Sequence, residues 1–456
     1  MSIKVETPAN PITLAIIGCG QRGNAYAQYS IVEPSKCKVV AIAEPRIQSR
    51  ALFANRYGVD GSLVFETWEQ LHKASAKSIQ TTGKRPADAV IVAVQDSMHV
   101  EVVEAFAAQG YDILCEKPMA TSIEHCLQIE AAVKRAGIIF GLGHVLRYSP
   151  YSRAVTEVVR SGKLGQLVNV QHIEPVGHWH FAHSYVRGNW SKERESSFSL
   201  MTKSCHDIDI VCHWFSPDTP VRVSSFGGLQ HFRKSGKPLE AGDATRCLDC
   251  AYERQCPYSA KKIYLDRVAL GHTGWPVRPL VDGIPDIENV TDALVHGPYG
   301  RCVYESDNDV CDNQVVNLQY ASGATFSFTM VAYTTLICER QTRLHFTHGE
   351  IVGDMNQFTV TDFRSGLTTV HQPSPEASTS GHGGGDLGLV GTFVEAVRTR
   401  RQDLLGTDIT EVLKSHLTVF AAEHSRKAGT VVDCVEFENA ARRAWDGSVQ
   451  NSTASE

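Results

Sequence analysis

The sequence lacks any long apolar run. The longest uniformly apolar stretches, such as residues 89–94, have the length of a strand, whereas about 20 apolar residues are needed to cross a bilayer. It also lacks an excess of positive charge, because 44 Lys and Arg stand against 50 Asp and Glu, a net charge of −6. This balance excludes a generally basic nucleic-acid-binding protein. The first residues contain no apolar block of the kind found in signal peptides. We therefore expect a cytoplasmic protein with neither a membrane nor a nucleic-acid partner.

Cysteine, in contrast, is abundant, with 13 residues. Because the number is odd, the cysteines cannot all pair within the chain, and in a reducing compartment they should be buried, catalytic or metal-bound. Apolar residues make up 42% of the 456 positions, which is enough material for a large core. At roughly 150 residues per domain this length predicts about three domains, a number that the motifs below reduce to two.

Strands and helices alternate along the first 120 residues. Short apolar runs at 12–17, 38–43, 89–94 and 112–115 are typical of strands covered on both faces, and helix-compatible segments lie between them. This alternation predicts parallel strands joined by right-handed crossovers. The expected fold is α/β, with an N-terminal Rossmann-type, doubly wound parallel sheet.

A glycine-rich turn with the pattern G-C-G-Q-R-G follows the first predicted strand and opens a helix. The first glycine permits a tight turn, the second lets a pyrophosphate approach the backbone, and the third lets helix and strand pack closely. The helix N-terminus then offers free N–H groups to the phosphates. The sequence predicts dinucleotide binding here, through Gly18, Gly20, Gln21, Arg22 and Gly23.

Glu44 ends the second predicted strand, 21 residues after Gly23. An acid at this place accepts hydrogen bonds from the adenosine ribose and repels the extra phosphate of NADP, which favours NAD. Arg46 and Arg50 follow, however, and a guanidinium there could bind that phosphate. NADP therefore stays open, as does the alternative that both arginines lie on a solvated helix face.

Four further motifs occur in a set order. D-S-M-H at 96–99 follows one strand, E-K-P at 116–118 follows the next, G-H-V-L-R-Y-S-P occupies 143–150, and H-D-I-D occupies 206–209. This layout resembles the Gfo/Idh/MocA family, named for glucose-fructose oxidoreductase, inositol dehydrogenase and a rhizopine-catabolism protein. The similarity extends into the C-terminal half of the chain.

The resemblance implies an NAD(P)-dependent oxidoreductase that acts on a hydroxyl carbon of a sugar, a cyclitol or a related carbohydrate. It places Lys117 and His206 at the substrate hydroxyl, where a proton must be moved within hydrogen-bond reach. Without the resemblance, Lys117 would be interpreted as a solvated surface lysine and His206 as a core histidine of an apolar helix. On the cofactor side the resemblance implies Asp96, His99, Glu116 and Lys117.

One position departs from the family pattern. The aspartate that usually stands four residues before the histidine is Thr202 here. Lys203 beside it offers a different polar group, and we include it among the catalytic candidates. The departure leaves two alternatives open: an NAD-dependent glycoside hydrolase that works by transient oxidation and elimination, and a non-catalytic nucleotide-binding regulator.

Histidine and aromatic residues concentrate in residues 177–190. His178 and His180 would share one face of a strand, and aromatic rings interleaved with hydrogen-bond donors suit stacking on a sugar ring. A metal site and a polar loop without a role are the alternatives. A glycine-rich loop at 381–386 presents a further histidine. The predicted substrate residues are His144, Arg147, His178, His180, Trp190 and His382.

The cysteines divide into scattered apolar positions and one concentrated group. Cys247, Cys250 and Cys256 form C-x2-C-x5-C in a polar stretch, and Cys302 is the predicted fourth ligand, with Cys311 as the alternative. Four thiolates suit a structural zinc ion, although an iron–sulfur cluster uses the same ligands and free thiols are the remaining interpretation. Such a site would hold an insertion at about 230–310 onto the second domain.

The predicted domains are a dinucleotide-binding domain at 1–146 and an α+β domain at 147–456 with a large, mainly antiparallel sheet. Residues 314–328 read as two strands joined at 321–323, and 343–346 as another. A helix at 409–428 should close the chain before a polar tail at 448–456. The resemblance also implies a homodimer or homotetramer assembled through the C-terminal sheet.

Overall fold

The computed structural model describes residues 10–373 and 381–453, and the described chain divides into two compact units. The first unit contains the described residues through Glu116 together with 128–143 and 386–410. The second contains 117–127, the described part of 144–385, and the residues from 411 onward. The boundary at residue 146 and the limits of the insertion stay predictions from the sequence.

The first unit is built on a six-stranded sheet with the order β3-β2-β1-β4-β5-β6, in which every neighbouring pair is parallel. The order reverses at β1, and ligands of doubly wound sheets bind at the carboxyl ends of the strands flanking such a reversal. The prediction of a Rossmann sheet is confirmed. Its strands are β1 (Ile12–Ile17), β2 (Cys37–Ala43), β3 (Val64–Phe65), β4 (Ala89–Val92), β5 (Asp112–Cys115) and β6 (Phe140–Leu142).

Helices connect these strands, and local sequence explains their ends. Thr67 caps α4 by accepting a hydrogen bond from the backbone of Gln70. Gly58 ends α3 in the left-handed conformation, with φ of 61°. The helices of this part of the chain are α1 (Gln21–Ala27), α2 (Tyr29–Val32), α3 (Ile47–Tyr57), α4 (Trp68–Thr82), α5 (His99–Ala108) and α6 (Ile123–Ala136).

The second unit contains a nine-stranded sheet with the order β14-β13-β12-β11-β7-β10-β9-β8-β15. All pairs are antiparallel except β7 with β10, so the expectation of a mainly antiparallel sheet is confirmed. The strands are β7 (Leu167–Pro175), β8 (Pro220–Gly228), β9 (Asn313–Tyr320), β10 (Thr325–Val331), β11 (Gln341–Phe346), β12 (Gly349–Gly353), β13 (Phe358–Asp362), β14 (Leu367–His371) and β15 (Val432–Asp433).

The remaining helices correct two expectations. Residues 178–181 are helical and not a strand, because Gly177 adopts φ of 93° and ends the extended run of β7. The polar tail expected from 448 is also wrong, since a last helix runs to Thr453 after Asp433 caps its first turn at Glu436. These helices are α7 (Pro150–Arg160), α8 (His178–Phe181), α9 (Ser199–Phe215), α10 (Asp266–Ala269), α11 (Ile287–His296), α12 (Gly385–Thr399), α13 (Ile409–Ala428) and α14 (Cys434–Thr453).

A long segment separates β8 from its antiparallel partner β9 and has an apolar cluster of its own. This cluster includes Ile263, Tyr264, Val277, Val290 and Leu294, all nearly or wholly buried. Burial of such side chains contributes about 1.5–3 kcal/mol each, so the segment folds around a local core. Among the described helices, none is both long and apolar enough to cross a membrane.

Candidate active site

The glycine-rich turn of the first unit has the close backbone approaches that its motif predicts. A Cβ atom on Gly18, whose φ is 91°, would lie 2.3 Å from the carbonyl oxygen of Ala93. A Cβ atom on Gly23 would lie 2.0 Å from the carbonyl oxygen of Gly18. At Gly20 the nearest atom would be Arg46 Nη2, at 3.7 Å. The turn therefore has no room for a side chain at Gly18 or Gly23, but it has free space beside Gly20. This arrangement fits a dinucleotide phosphate.

Glu44 is buried beside this turn and organises it. Its carboxylate accepts hydrogen bonds from the Cys19 backbone at 2.8 Å and from the Arg46 side chain at 2.8 and 3.1 Å. Although burial opposes it, the hydrogen bonds from Arg46 lower the pKa of Glu44. The residue is therefore a carboxylate at neutral pH, as an acceptor for ribose hydroxyls must be. Its contact with a ribose stays a prediction.

Arg22 is held by two acids of the same unit. Its Nε lies 2.5 Å from Glu116 Oε1, and its Nη2 lies 2.7 Å from Asp386 Oδ1. Glu116 also accepts a hydrogen bond from the hydroxyl of Tyr26 at 2.7 Å. The E-K-P glutamate therefore anchors the arginine of the glycine turn, a connection that sequence spacing does not reveal.

The other predicted cofactor residues lie at ends of secondary-structure elements in the same unit. Gln21 is the first residue of α1, and Asp96 opens the short turn that leads from β4 to His99, the first residue of α5. Asp96 and His99 are both buried. Their roles toward a cofactor stay predictions.

Lys117 in the second unit contacts helix α9. Its Nζ donates a hydrogen bond to the backbone carbonyl of Thr202 at 2.7 Å and lies 5.9 Å from the ring centre of Trp190. Thr202 stands where the resembled family has an aspartate, and it offers Lys117 a carbonyl oxygen instead of a carboxylate. The lysine therefore lies against the helical turn that precedes His206.

His206 belongs to a buried cluster of charged side chains. Arg340 Nη2 lies 2.7 Å from His206 Nε2, and Arg340 Nε lies 2.8 Å from Asp207 Oδ1 and 2.5 Å from Glu174 Oε2. Lys203 Nζ completes the cluster at 3.0 Å from Glu174 Oε1. Two carboxylates thus face two cations, a pairing that offsets the cost of burying the four charges.

The electrostatics of this cluster separate His206 from Lys203. Burial lowers the pKa of His206 well below its usual value; Asp207 opposes this shift, while Arg340 and the two nearby lysines reinforce it. Burial also acts to lower the pKa of Lys203, but the Cys338 thiol and Glu174 outweigh it and raise that pKa. His206 is therefore neutral and Lys203 charged. The catalytic role of Lys203 stays a prediction, and its contacts are those of an ion-pair partner.

Reasoning from sequence missed Arg340 and Glu174. Arg340 immediately precedes β11 with no motif around it, so only the fold brings it to His206. Glu174 could have been found from the sequence pattern of β7. This strand alternates between exposed and buried positions, and His172 and Glu174 both lie at buried ones. Two polar side chains on the inner face of a strand indicate a buried polar network.

Comparison with known proteins bears on both units. Residues 12–144 match the family described as "Oxidoreductase family, NAD-binding Rossmann fold", and residues 156–434 match "Oxidoreductase family, C-terminal alpha/beta domain". The chain belongs to the Gfo/Idh/MocA oxidoreductase family. The N-terminal unit is thus a Rossmann domain of the NAD-binding type.

Similar members of the Gfo/Idh/MocA family include the oxidoreductase YteT of Bacillus subtilis, 26% identical over 54% of this chain and 55% of the relative. The 2,7-anhydro-N-acetylneuraminate hydratase of Escherichia coli is 30% identical over 31% of this chain and 37% of the relative. The chain thus spans about half or less of the length of these relatives. The scyllo-inositol dehydrogenase structure from Lactobacillus casei has the same fold, with a TM-score of 0.62 and 15% identity over 94% of this chain and 100% of that one.

Three of the predicted substrate residues of this Gfo/Idh/MocA protein lie close to the Lys117 and His206 region. The His382 ring centre is 6.3 Å from that of His206. Trp190 stacks on Tyr185 and faces the Lys117 ammonium group. His180 is half-buried, and its Nδ1 is 3.5 Å from the Cys338 sulfur.

The other predicted substrate residues have structural contacts. His178 is hydrogen-bonded to the Thr334 carbonyl at 3.1 Å. Arg147 makes a bidentate pair with Asp209, at 2.6 and 2.7 Å, and a further bond to Glu411 at 3.0 Å. His144 Nε2 lies 3.6 Å from the same aspartate. Substrate contact by these residues stays a prediction.

The cysteine group is brought together, but not as a metal site. Cys247, Cys250, Cys256 and Cys302 line one small cavity. Within residues 10–373 and 381–453, however, no group of three or more His, Cys, Asp or Glu side chains is arranged to hold a metal ion. The Arg187 guanidinium contacts the Cys247 sulfur at 3.3 Å, and burial raises the pKa of Cys256 to about 11. The structure therefore does not support the predicted zinc, because the described cysteines are not grouped as ligands around one metal position.

Proposed function

We propose that this protein transfers hydride between NAD and a hydroxyl carbon of a sugar, a cyclitol or a related carbohydrate. The observation that carries the proposal is the hydrogen bond from Lys117 to Thr202, one helical turn before His206 on α9. The charge of Lys117 is close enough to contribute to the lowered pKa of His206. A proton donor or acceptor must lie within hydrogen-bond reach of the reacting hydroxyl, and these two side chains offer both possibilities.

In this proposal the glycine turn and Glu44 hold the dinucleotide. Gly20 leaves space for the pyrophosphate, and Glu44, a carboxylate at neutral pH, accepts hydrogen bonds from the ribose. When bound, NAD supplies the acceptor for the hydride. Arg46 lies beside Glu44, so NADP is the alternative cofactor, bound by rotation of that guanidinium toward the additional phosphate.

The second unit holds the carbohydrate. Lys117 and His206 lie at the reacting hydroxyl and one of them accepts its proton, while Trp190, His180 and His382 supply rings and hydrogen-bonding nitrogens around it. Aromatic faces suit the C–H surface of a sugar or cyclitol ring, and ring nitrogens suit its hydroxyl groups. A buried, internally neutral cluster behind His206 keeps the imidazole in one position, which favours a defined proton path.

A turnover screen tests this function. The protein is incubated with NAD or NADP and a panel of sugars and inositols, and the appearance of the reduced cofactor is followed by its absorbance. We expect turnover with at least one carbohydrate and a loss of about 10²–10⁴-fold in Lys117→Met. Lys84→Met, a change at an exposed lysine of the first unit, serves as the control. If Lys117→Met and Lys84→Met turn over substrate equally, the proposed chemistry is wrong.

A second candidate function is a reaction with transient oxidation but no net redox change, such as cleavage of a glycoside through elimination. A relative that is named a hydratase and is 30% identical over its aligned region supports this candidate. Incubation with NAD and candidate glycosides separates the two functions. Steady accumulation of NADH indicates a dehydrogenase, whereas product release without net NADH indicates the second reaction.

We also propose that two copies of the chain associate through the open face of the nine-stranded sheet. Phe226, Val315, Thr329 and Ile173 are paired in register across four neighbouring strands and so lie in one row on one face. The three apolar members are 64%, 37% and 41% exposed, respectively. An apolar row of this kind on a sheet favours burial against a partner, and a second copy presents the same row.

A further inference from the structure

One ring nitrogen of His206 faces the guanidinium group of Arg340. A guanidinium group has only donors, and Arg340 Nη2 lies 2.7 Å from His206 Nε2. A contact of this length is a hydrogen bond only if Nε2 is the acceptor, and therefore unprotonated. Because Arg340 can only donate, His206 Nε2 must be the acceptor of this hydrogen bond.

The alternative protonation states fail on the same geometry. If Nε2 carried a proton, that proton would face the N–H group of Arg340 across 2.7 Å. Within the described part of the chain, Nε2 otherwise approaches only Asp207 Oδ2, at 3.5 Å, which is too long for a strong hydrogen bond. Asp207 instead directs its other oxygen, Oδ1, to Arg340 Nε at 2.8 Å and to His172 at 3.2 Å. A protonated Nε2 would therefore lose one good bond and gain none.

The second nitrogen of His206 lacks a protein partner. Nδ1 is buried, and among the residues that the structure describes no group is hydrogen-bonded to it. A buried polar atom without a partner is rare in native proteins and marks a place where a ligand or water completes the bond. Burial holds the pKa of His206 well below its usual value, so the imidazole is neutral and its single proton belongs on Nδ1.

We propose that Arg340 is a positioning residue that holds His206 as the Nδ1–H tautomer, so that His206 donates a hydrogen bond to the substrate oxygen and does not accept its proton. This inference rests on the proposed function. Oxidation of the carbinol breaks the C–H bond, whose electron pair goes to NAD, and breaks the O–H bond as the carbonyl forms. Lys117 first releases one of its own protons to solvent and then accepts the hydroxyl proton at Nζ, while the Nδ1–H group of His206 stabilises the charge that develops on the oxygen.

The arrangement also explains the buried cluster behind His206. The Arg340 guanidinium is fixed at its other nitrogens by Glu174, by Asp207 and by the backbone carbonyl of Cys338 at 2.9 Å. Glu174 is in turn paired with Lys203. These contacts prevent Arg340 from turning away from His206 and thereby fix the tautomer before any ligand binds.

Nitrogen NMR of the whole protein labelled with ¹⁵N-histidine tests the proposal. The His206 signals are identified by their loss in His206→Gln. We expect a protonated, pyrrole-type nitrogen at Nδ1 and an unprotonated, pyridine-type nitrogen at Nε2 in the protein without ligand. A protonated Nε2, or an imidazolium at neutral pH, would overturn the proposal.

Two variants separate positioning from a purely structural role. Arg340→Lys keeps a donor and a positive charge, and we expect it to retain the Nδ1–H signature. Arg340→Met removes the donor, and we expect Nε2 to become protonated in part of the molecules. An unchanged tautomer in folded Arg340→Met would contradict the proposal, and if that variant does not fold, the wild-type spectrum alone decides. Because no substrate is used, failure of the proposed function leaves this measurement intact.

Discussion

At the scale of single residues, two glycines of the nucleotide turn tolerate no side chain, for a steric reason. At Gly23 an added Cβ would overlap the carbonyl oxygen of Gly18, and backbone atoms cannot rotate away as a flexible side chain can. The G-x-G-x-x-G pattern is therefore a requirement for close backbone contact in this chain. Backbone atoms in contact with Gly18 and Gly23 therefore require glycine at both positions.

Gly23→Ala is expected to weaken NAD binding by about tenfold or more, since overpacking at such a site costs about 1–3 kcal/mol. Isothermal titration calorimetry with NAD measures the dissociation constant. Gly61→Ala is the matched control, because a Cβ atom at Gly61 would meet no atom within 4 Å. Equal affinity for NAD in the two variants would show that the turn does not bind the cofactor.

At the scale of an element, α9 is a helix whose polar residues are as buried as its apolar ones. Asp207 and Asp209 are each fully buried, and each is paired with an arginine from another part of the second unit, Arg340 and Arg147. Although burial opposes it, the Arg147 guanidinium lowers the pKa of Asp209 below its ordinary range. The helix therefore depends on ion pairs within its unit and not on a solvated face.

Asp209→Asn is expected to destabilise the fold by about 3–5 kcal/mol at pH 7, because among the described residues it leaves the buried Arg147 with Glu411 alone as a carboxylate partner. The depressed pKa of Asp209 stabilises the folded state above its unfolded value of about 3.9, and this stabilisation is lost as the pH falls toward the folded pKa. The stability difference between wild type and variant should therefore shrink below about pH 4. Urea unfolding at several pH values measures it.

Asp403→Asn is the control for that experiment. Asp403 pairs with Arg401 in a contact in which both side chains are more than half exposed, and such pairs contribute little. No measurable change in unfolding is expected. A stability difference at Asp209 that does not vary with pH would contradict the role of its charge.

At the scale of the whole molecule, the proposed association of two copies depends on the exposed face of the nine-stranded sheet. Phe226→Asp replaces the most exposed apolar side chain of the row with a charge, and we expect the assembly to shift toward the monomer. Size-exclusion chromatography with light scattering measures the mass. Leu239→Asp, at a residue that is 96% exposed in the segment between β8 and β9, is the control. The same mass for Phe226→Asp and wild type would rule out this face as the interface.

Local pattern was sufficient for much of the fold. β1 and β5 have the predicted bounds, and α13 begins and ends at the predicted residues, because apolar runs, helical periodicity and glycine stops act over a few residues. The helix at 178–181 was missed because one glycine with a positive φ redirected the chain. The helix α14 was missed because polar residues obscured its pattern.

The sequence by itself determined the Rossmann unit, the glycine turn and the positions of Lys117 and His206, since each depends on neighbours in the chain or on a motif of fixed spacing. Only the tertiary structure decided what surrounds them. Arg340 is 134 residues from His206 in the chain, and no local rule connects the two. The charge of Lys203 and the tautomer of His206 follow from groups that folding buries together, because burial makes each remaining polar contact decisive.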